Sequence, residues 1–324
     1  MRILRIVFLG SVMLVAAGMT SKIVSAQSGS SGTTAETQSE LLWQKMEGEI
    51  HGIDRGLDGT MGVAILDLTD GRQFLLNDNH VFAQASSIKV AILAELYRQE
   101  QESAGGASGK ARLSDLYTVD AKDIVDGSSI MAGLTPGTSR VTNRDLATFM
   151  VAVSDNSATN VLIDRVGMQG VNAMLDSLGL HHTRLQRKMM DVKAAQEGRE
   201  NVSTPREMME LFAALYRKKV LNEKLTADYF KVLGTPKASD IPRYLPEGVV
   251  CANKPGELAG VRNDVGIVFT EKRPFVIVVM TAYLNRERDG DEAIAKIAEF
   301  AYAYFDRVGR SSGYGRIVSE RETH

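Results

Sequence analysis

The stretch that decides the fold is FAQASSIK, residues 82–89. Within it, Ser86 and Lys89 stand three positions apart at the start of a run whose apolar residues recur at helical spacing. Residues three apart share one face of a helix, so the Lys89 amine is expected near the Ser86 hydroxyl. Burial favours the neutral form of a lysine, which can then take the proton that makes a serine nucleophilic. Alone, the pattern is weak, because a surface helix carries it by chance.

Two further polar tripeptides follow in order along the chain. In Ser154-Asp155-Asn156, the serine could pass a proton to a leaving group and the asparagine could donate to a substrate carbonyl. The alternative is a polar helix cap, which all three residue types favour. In Lys254-Pro255-Gly256, the lysine can hold a substrate carboxylate and the glycine permits close backbone approach. Here the alternative is an ordinary turn.

The three motifs together carry a specific resemblance. S-x-x-K, S-D-N and K-x-G in this order are the signature of class A β-lactamases and penicillin-binding proteins. The chain resembles the class A β-lactamase family from about residue 41 to residue 305. Besides FAQASSIK, the segments that carry the likeness are SDNSATN at 154–160, GLHHTRLQR at 179–187 and GVRND at 260–264.

The resemblance implies an α/β, β-lactamase/transpeptidase-like fold, in which an antiparallel sheet flanked by helices adjoins an all-helical lobe. The site is expected between the two lobes. The implied catalytic residues are Ser86 as nucleophile, Lys89 as acylation base and Ser154 as proton shuttle. The implied substrate-binding residues are Asn156, Lys254, Gly256, Glu257 and Arg262. The backbone N–H groups of Ser86 and Glu257 would form the oxyanion hole.

The sequence departs from the family at two places. Counting from Arg187, Met189 stands where the family has the glutamate that activates the deacylating water. A thioether cannot take a proton from water. Asp191 is a possible alternative base, against the simpler interpretation of an exposed loop acid, and Glu200 is expected to pair with Arg187.

The second departure is Pro255, which replaces the hydroxyl residue of the family's lysine motif. Proline also lacks a backbone N–H, so it is tolerated only where that group would face away from the ladder, as at an edge strand. Substrate preference is therefore expected to differ from that of penicillinases with the hydroxyl.

Periodicity and turn residues divide the chain. We expect a signal peptide at 1–26, a linker at 27–38, a discontinuous α/β lobe at 39–85 and 232–308, a helical lobe at 86–231 and a polar tail at 309–324. Predicted strands cover 61–68, 73–76, 249–253, 265–270 and 275–281. Predicted helices cover 41–55, 86–101, 146–153, 157–166, 170–178, 205–217 and 289–306.

Composition narrows the class of protein. The chain has 324 residues, 44% hydrophobic and 24% charged, with a formal net charge of −2 that argues against a nucleic-acid partner. Cys251 is the only cysteine, so no intrachain disulfide can form, and the five histidines lack metal-ligand spacing. We predict no metal or other cofactor, a periplasmic or secreted monomer without a stable membrane anchor, and a small β-lactam or peptidoglycan-like substrate.

Three functions compete at this point. The first is a serine hydrolase that opens a β-lactam through a Ser86 acyl-enzyme, with either normal or slow deacylation. The second is a penicillin-binding, DD-peptidase-like protein or acyl trap with little turnover. The third is a non-catalytic exported binding protein on the same scaffold, although a binding scaffold has no physical need for Ser86, Lys89, Ser154 and Lys254 together.

Overall fold

The computed structural model describes residues 33–317. The predicted signal peptide therefore lies outside the described residues, as do the first part of the linker and the end of the tail. Within the described range, no helix is both long enough and apolar enough to cross a membrane.

A five-stranded antiparallel sheet, in the order β2-β1-β9-β8-β7, joins strands from both ends of the chain. Its strands are β1 Thr60–Asp67, β2 Gln73–Leu76, β7 Val250–Leu258, β8 Val261–Phe269 and β9 Phe275–Ala282. Two small ladders pair β3 Phe82–Ala83 with β6 Val202–Ser203, and β4 Leu116–Thr118 with β5 Arg140–Thr142. All five strands predicted for the large sheet are present, and the predicted fold class is confirmed.

Both faces of the sheet are covered, which explains why its strands are apolar almost throughout. Val63 and Ile65 of β1 face a cluster formed with the terminal helices, whereas Ala64 and Leu66 face the helical block. The terminal helices are α1 Thr33–Gly56 and α9 Glu287–Arg310. Trp43 of the first packs edge-on against Tyr304 of the second, with ring centroids 5.1 Å apart.

Seven helices lie between β3 and β7. They are α2 Lys89–Ala104, α3 Asn143–Ala152, α4 Asn156–Val166, α5 Met168–Ser177, α6 Val192–Gln196, α7 Pro205–Tyr216 and α8 Glu223–Leu233. α2 is central, and its residues from Lys89 to Tyr97 are all buried. α7 packs against the sheet.

Local signals explain the helix boundaries. Thr142 caps α3 and forms a capping box with Asp145, whose side chain returns to the Thr142 N–H. Thr204 caps α7 with proline at its first turn, and Gly179 follows α5 with a positive φ of 78°. The helices predicted from these residues are present.

The structure differs from the sequence prediction at the start of α1, in the helices α6 and α8, and in the two small ladders, whose four strands were not predicted. α1 begins at Thr33, so it includes the second half of the segment predicted as a linker. Ala35, Glu36 and Gln38 there favour helix, and they extend the helical segment predicted to begin at Leu41. α6 and α8 were not predicted. The lobe boundaries at 85/86 and 231/232 stay a prediction.

Candidate active site

Ser86 lies in a 3-10 turn, Ala85–Ile88, that leads directly into α2. Ala85 has a left-handed φ of 50°, a conformation that costs a residue with a Cβ about 1–2 kcal/mol. Strain of this kind often marks functional sites. The neighbouring Ser87 is buried and donates its hydroxyl to the Gln84 carbonyl at 2.7 Å. The turn thus leaves Ser86 partly exposed, while the Ser87 hydrogen bond fixes the backbone of the turn at Gln84.

Lys89 is completely buried at the first position of α2. Its Nζ lies 2.6 Å from the Ser154 carbonyl oxygen, 2.9 Å from Ser154 Oγ and 3.0 Å from Asn156 Oδ1. Burial holds the pKa of Lys89 well below its ordinary value, and the positive charge of Lys254 lowers it further. The amine is therefore suited to accept a proton.

The residues of the Ser154-Asp155-Asn156 motif have two different sets of contacts. Ser154, with φ 57°, turns its hydroxyl between the amines of Lys89 and Lys254, at 2.9 and 3.2 Å. Asp155 is buried and caps α4 by accepting from the Ala158 N–H at 2.9 Å. The helix-cap interpretation therefore holds for the aspartate, while the serine and the asparagine contact Lys89.

The lysine motif lies on β7, at the edge of the sheet. The edge position satisfies the condition set for Pro255, since one side of β7 has no ladder to interrupt. A Cβ added to Gly256 would lie 2.5 Å from the Gln84 carbonyl oxygen and 3.1 Å from the Ser86 nitrogen. Only glycine allows the edge strand to approach the turn that carries Ser86 this closely.

Lys254 is also buried, and desolvation lowers its pKa to about 7. Asp264 opposes this shift and Lys237 adds to it through their charges. Asp264 is fully buried on β8, where it accepts from the N–H groups of Asp240 and Ile241 at 3.1 and 3.0 Å. The site thus contains two desolvated amines joined through one serine hydroxyl.

These groups open onto a cleft of about 380 Å³. The polar residues and glycine that line it are Ser86, Gly127, Ser154, Asn156, Lys237, Lys254 and Glu257. Five of the predicted site residues therefore meet at one cleft, with Lys89 beneath them and Gly256 behind. A serine hydroxyl and a desolvated amine are groups that nucleophilic acyl transfer can use.

Arg262 is not brought to the cleft. Its Nε forms an ion pair with Asp291 at 3.0 Å, and its Nη1 donates to the carbonyls of Leu258 and Val261 at 3.0 and 2.8 Å. The expectation that it binds substrate is therefore unsupported, because α9 supplies an acid that takes up its charge.

The loop between α5 and α7 holds the predicted deacylation region. Met189 is buried, and its backbone N–H donates to Asn160 Oδ1 at 2.8 Å while its carbonyl accepts from Asn160 Nδ2 at 3.1 Å. Its side chain packs in the hydrophobic core. Asp191 is exposed and caps α6 by accepting from the Ala194 N–H at 3.0 Å.

An ion pair closes this loop. Arg187 Nη2 lies 2.9 Å from Glu200 Oε2, and further hydrogen bonds make the contact bidentate. The expected structural pair is present. Arg184 is bound to Asp176 and to the carbonyls of Leu180 and Thr183, so it is structural as well.

Sequence reasoning missed the residues that position the site from elsewhere in the chain. Asn263 of β8 donates to the carbonyls of Ala83 and Gln84 at 2.8 and 3.2 Å, so it fixes the chain just before Ser86. Neither this contact nor the place of Lys237 in the cleft has a local signal, because each depends on two segments far apart in sequence.

The fold and this site are those expected of a serine hydrolase. Comparison with known proteins gives the family. Residues 45–305 match the model of the β-lactamase enzyme family, and the chain belongs to that family. It is a serine hydrolase of the β-lactamase type.

Individual relatives agree with this assignment. An imipenem-hydrolysing β-lactamase of Enterobacter cloacae is 26% identical over 78% of this chain and 87% of its own length. The crystal structure of a β-lactamase from Sphaerobacter thermophilus is 30% identical, with a TM-score of 0.72 over 81% of this chain and 97% of that one. A structure of PBP-A shares the fold at 23% identity, with a TM-score of 0.71 over 81% and 96% of the two chains.

Proposed function

We propose that the protein opens the β-lactam amide through an acyl-enzyme on Ser86 and that it releases the acyl group slowly. The observation that carries the proposal is the chain of contacts from Lys89 through Ser154 to Lys254, of which Ser154 and Lys254 line the same cleft as Ser86. Acylation needs a nucleophile, a base and a proton donor for the leaving nitrogen, and this arrangement supplies all three.

In the acylation step, Ser86 Oγ attacks the lactam carbonyl carbon and its proton passes to the Lys89 amine. The N–H groups of Ser86 and Glu257 bind the oxyanion that forms. Ser154 then receives a proton from Lys89 and gives its own to the ring nitrogen as the carbon–nitrogen bond breaks. The products are a Ser86 ester and the protonated amine of the opened ring.

Deacylation requires a base that activates a water, and few carboxylates are placed to act as one. Glu257 is the one acid among the described residues that line the cleft, and it lies exposed on β7. Asp191 is engaged in capping α6, and the position of the family's glutamate holds Met189. Loss of a general base typically slows the step it serves by about 10²–10⁴. We therefore expect the ester to accumulate.

The alternative function is that of a penicillin-binding or peptidase-like protein that forms the same ester with little turnover. The missing loop carboxylate favours it, and the fold is compatible with it.

In either case we propose export to the periplasm or the medium, on the basis of the basic and apolar residues at the start of the chain. We also propose a monomer with a small β-lactam or peptidoglycan-like substrate.

Intact-protein mass spectrometry after brief exposure to benzylpenicillin tests the proposal. We expect the mass to rise by that of one penicillin, and the Ser86→Ala variant to show no increase. The Ser108→Ala variant is the matched control, because it removes an exposed hydroxyl that does not line the cleft. An unmodified mass at high drug concentration would contradict the proposal.

Steady-state hydrolysis of a chromogenic β-lactam then separates the two functions. A hydrolase turns over many equivalents of substrate, whereas an acyl trap gives a burst of about one equivalent followed by a slow phase.

A further inference from the structure

We propose that Lys237 is a substrate-binding residue and that it holds the carboxylate of the substrate jointly with Lys254. This inference rests on the proposed function of the cleft. It adds a determinant of specificity that none of the three sequence motifs contains.

The first support is position. Lys237 follows α8 by four residues, and the loop returns its half-buried side chain to the cleft beside Lys254 and Pro255. Lys237 and Lys254 are the two cations among the described residues that line the cleft. Burial lowers the pKa of Lys237 to about 8 and that of Lys254 to about 7, and the negative charge of Asp264 opposes the shift in both, so both amines lie near the same carboxylate.

The second support is the anchoring of the ammonium group. Lys237 Nζ donates to the Leu233 carbonyl at 2.8 Å, at the C-terminal turn of α8. Unpaired carbonyls at that end of a helix attract a cation. An ammonium has three donors. No ion pair is formed by Lys237 among the described residues, so two of its donors remain for a ligand.

The third support is a shortage of other donors at this end of the cleft. Pro255 brings no hydroxyl, and Arg262 is paired with Asp291. Lys254 already donates to Ser154 Oγ and to the Pro255 carbonyl, at 3.2 and 2.9 Å. It therefore has one donor left for a carboxylate, which has two oxygens to satisfy.

The charges agree with an anionic ligand. The positive charge of Lys237 lowers the pKa of Lys254, so the two cations repel each other when the cleft is empty. A carboxylate between them would remove that repulsion. Glu257 also lines the cleft, but it is exposed and forms no ion pair with either lysine among the described residues.

The experiment compares acylation by benzylpenicillin with acylation by its neutral methyl ester. For the Lys237→Gln variant, we expect the second-order acylation constant for benzylpenicillin to fall about tenfold, which corresponds to about 1.4 kcal/mol. The loss should appear in the dissociation constant and not in the limiting rate. The constant for the methyl ester should change less than about twofold, and Lys237→Arg should recover most of the loss.

Lys231→Gln is the matched control, because it removes an exposed lysine of α8 that does not line the cleft. Equal losses with both substrates, or no difference between Lys237→Gln and Lys231→Gln, would overturn the inference and leave the acyl-enzyme intact. If the unaltered protein is not acylated by either compound, the proposed function fails and the inference fails with it.

Discussion

Two regions of the molecule differ in how completely they are equipped for their half of the reaction. On the proposed acylation side, hydrogen bonds of 2.6 to 3.2 Å join Lys89, Ser154 and Lys254, and Gly256 packs closely against the turn that carries Ser86. On the proposed deacylation side, the loop is held by the Arg187–Glu200 ion pair and by the hydrogen bonds between Asn160 and the Met189 backbone. However, the residue that Asn160 holds is Met189, whose buried thioether cannot accept a proton. Under the proposed mechanism, the comparison implies that an ordered loop can still lack the base that its half of the reaction needs.

The largest expected effect comes from removing the acylation base. The Lys89→Met variant has a side chain of similar length without the amine, and it should lower the acylation rate constant by about 10²–10⁴. The rate is measured from the growth of the penicillin adduct under excess drug. Lys89→Arg should not restore it, since a guanidinium stays protonated.

Because Lys89 is buried and makes three hydrogen bonds, its variants need a check of folding. Thermal unfolding provides it. A folded Lys89→Met protein that acylates at the normal rate would show that another group accepts the Ser86 proton.

The next largest effect should come from supplying the missing carboxylate. Met189→Glu is expected to shorten the lifetime of the penicillin adduct by about 10²-fold, at the lower end of what a general base contributes. The measurement is the decay of the adduct mass after free penicillin is removed, and thermal unfolding checks that the buried position accepts the carboxylate. Met189→Gln controls for the polarity and shape of the new side chain, and an equal acceleration in both variants would argue against base catalysis.

A smaller effect is expected from pH. Burial lowers the pKa of Lys254 to about 7. The charge of Lys237 lowers it further, whereas Asp264 and Glu257 oppose the shift. The Lys89 amine lies on the other side of Ser154. Burial lowers the pKa of the neighbouring Lys237 to about 8, so both amines are charged at pH 6 and both have lost most of their charge at pH 8.5. The second-order acylation constant for benzylpenicillin should therefore fall about tenfold as the pH rises from about 6 to 8.5.

The methyl ester again provides the control for this profile. Its constant should not fall over the same range, because it has no carboxylate to lose contact with Lys254. A parallel fall for both compounds would assign the titration to the catalytic groups and not to carboxylate binding.

The smallest effect should come from Asp191. Asparagine caps a helix as well as aspartate does, so Asp191→Asn keeps α6 while removing the only basic function the residue could offer. The adduct lifetime should stay within about twofold of the original. A lifetime that increases tenfold or more would make Asp191 the deacylating base.

The sequence predicted the features that are encoded in contiguous residues. The three motifs, the capped starts of α3 and α7 and the five strands of the sheet each carry a local signal, and the structure contains them. What the sequence did not show depends on tertiary contact. Asn263 reaches the chain before Ser86 across about 180 positions, and Asp291 of α9 binds Arg262. No spacing rule within one segment can predict either contact.

The start of α1 and the place of Lys237 are failures of other kinds. The start of α1 lies where a Ser/Gly/Thr-rich sequence is followed within a few residues by residues that favour helix, so the sequence marks this boundary poorly. The second follows α8, a short helix that was not predicted, so nothing indicated that the loop after it turns back to the cleft.

The decay of the Ser86 adduct in the unaltered protein tests the central claim most directly. The protein is acylated with excess benzylpenicillin, freed of the drug by rapid gel filtration and followed by intact-mass spectrometry. The account predicts that the adduct forms quickly and then persists far longer than the time it took to form. Return of the free-enzyme mass as fast as acylation itself would contradict it, because that rate would require an efficient base on the side of Met189.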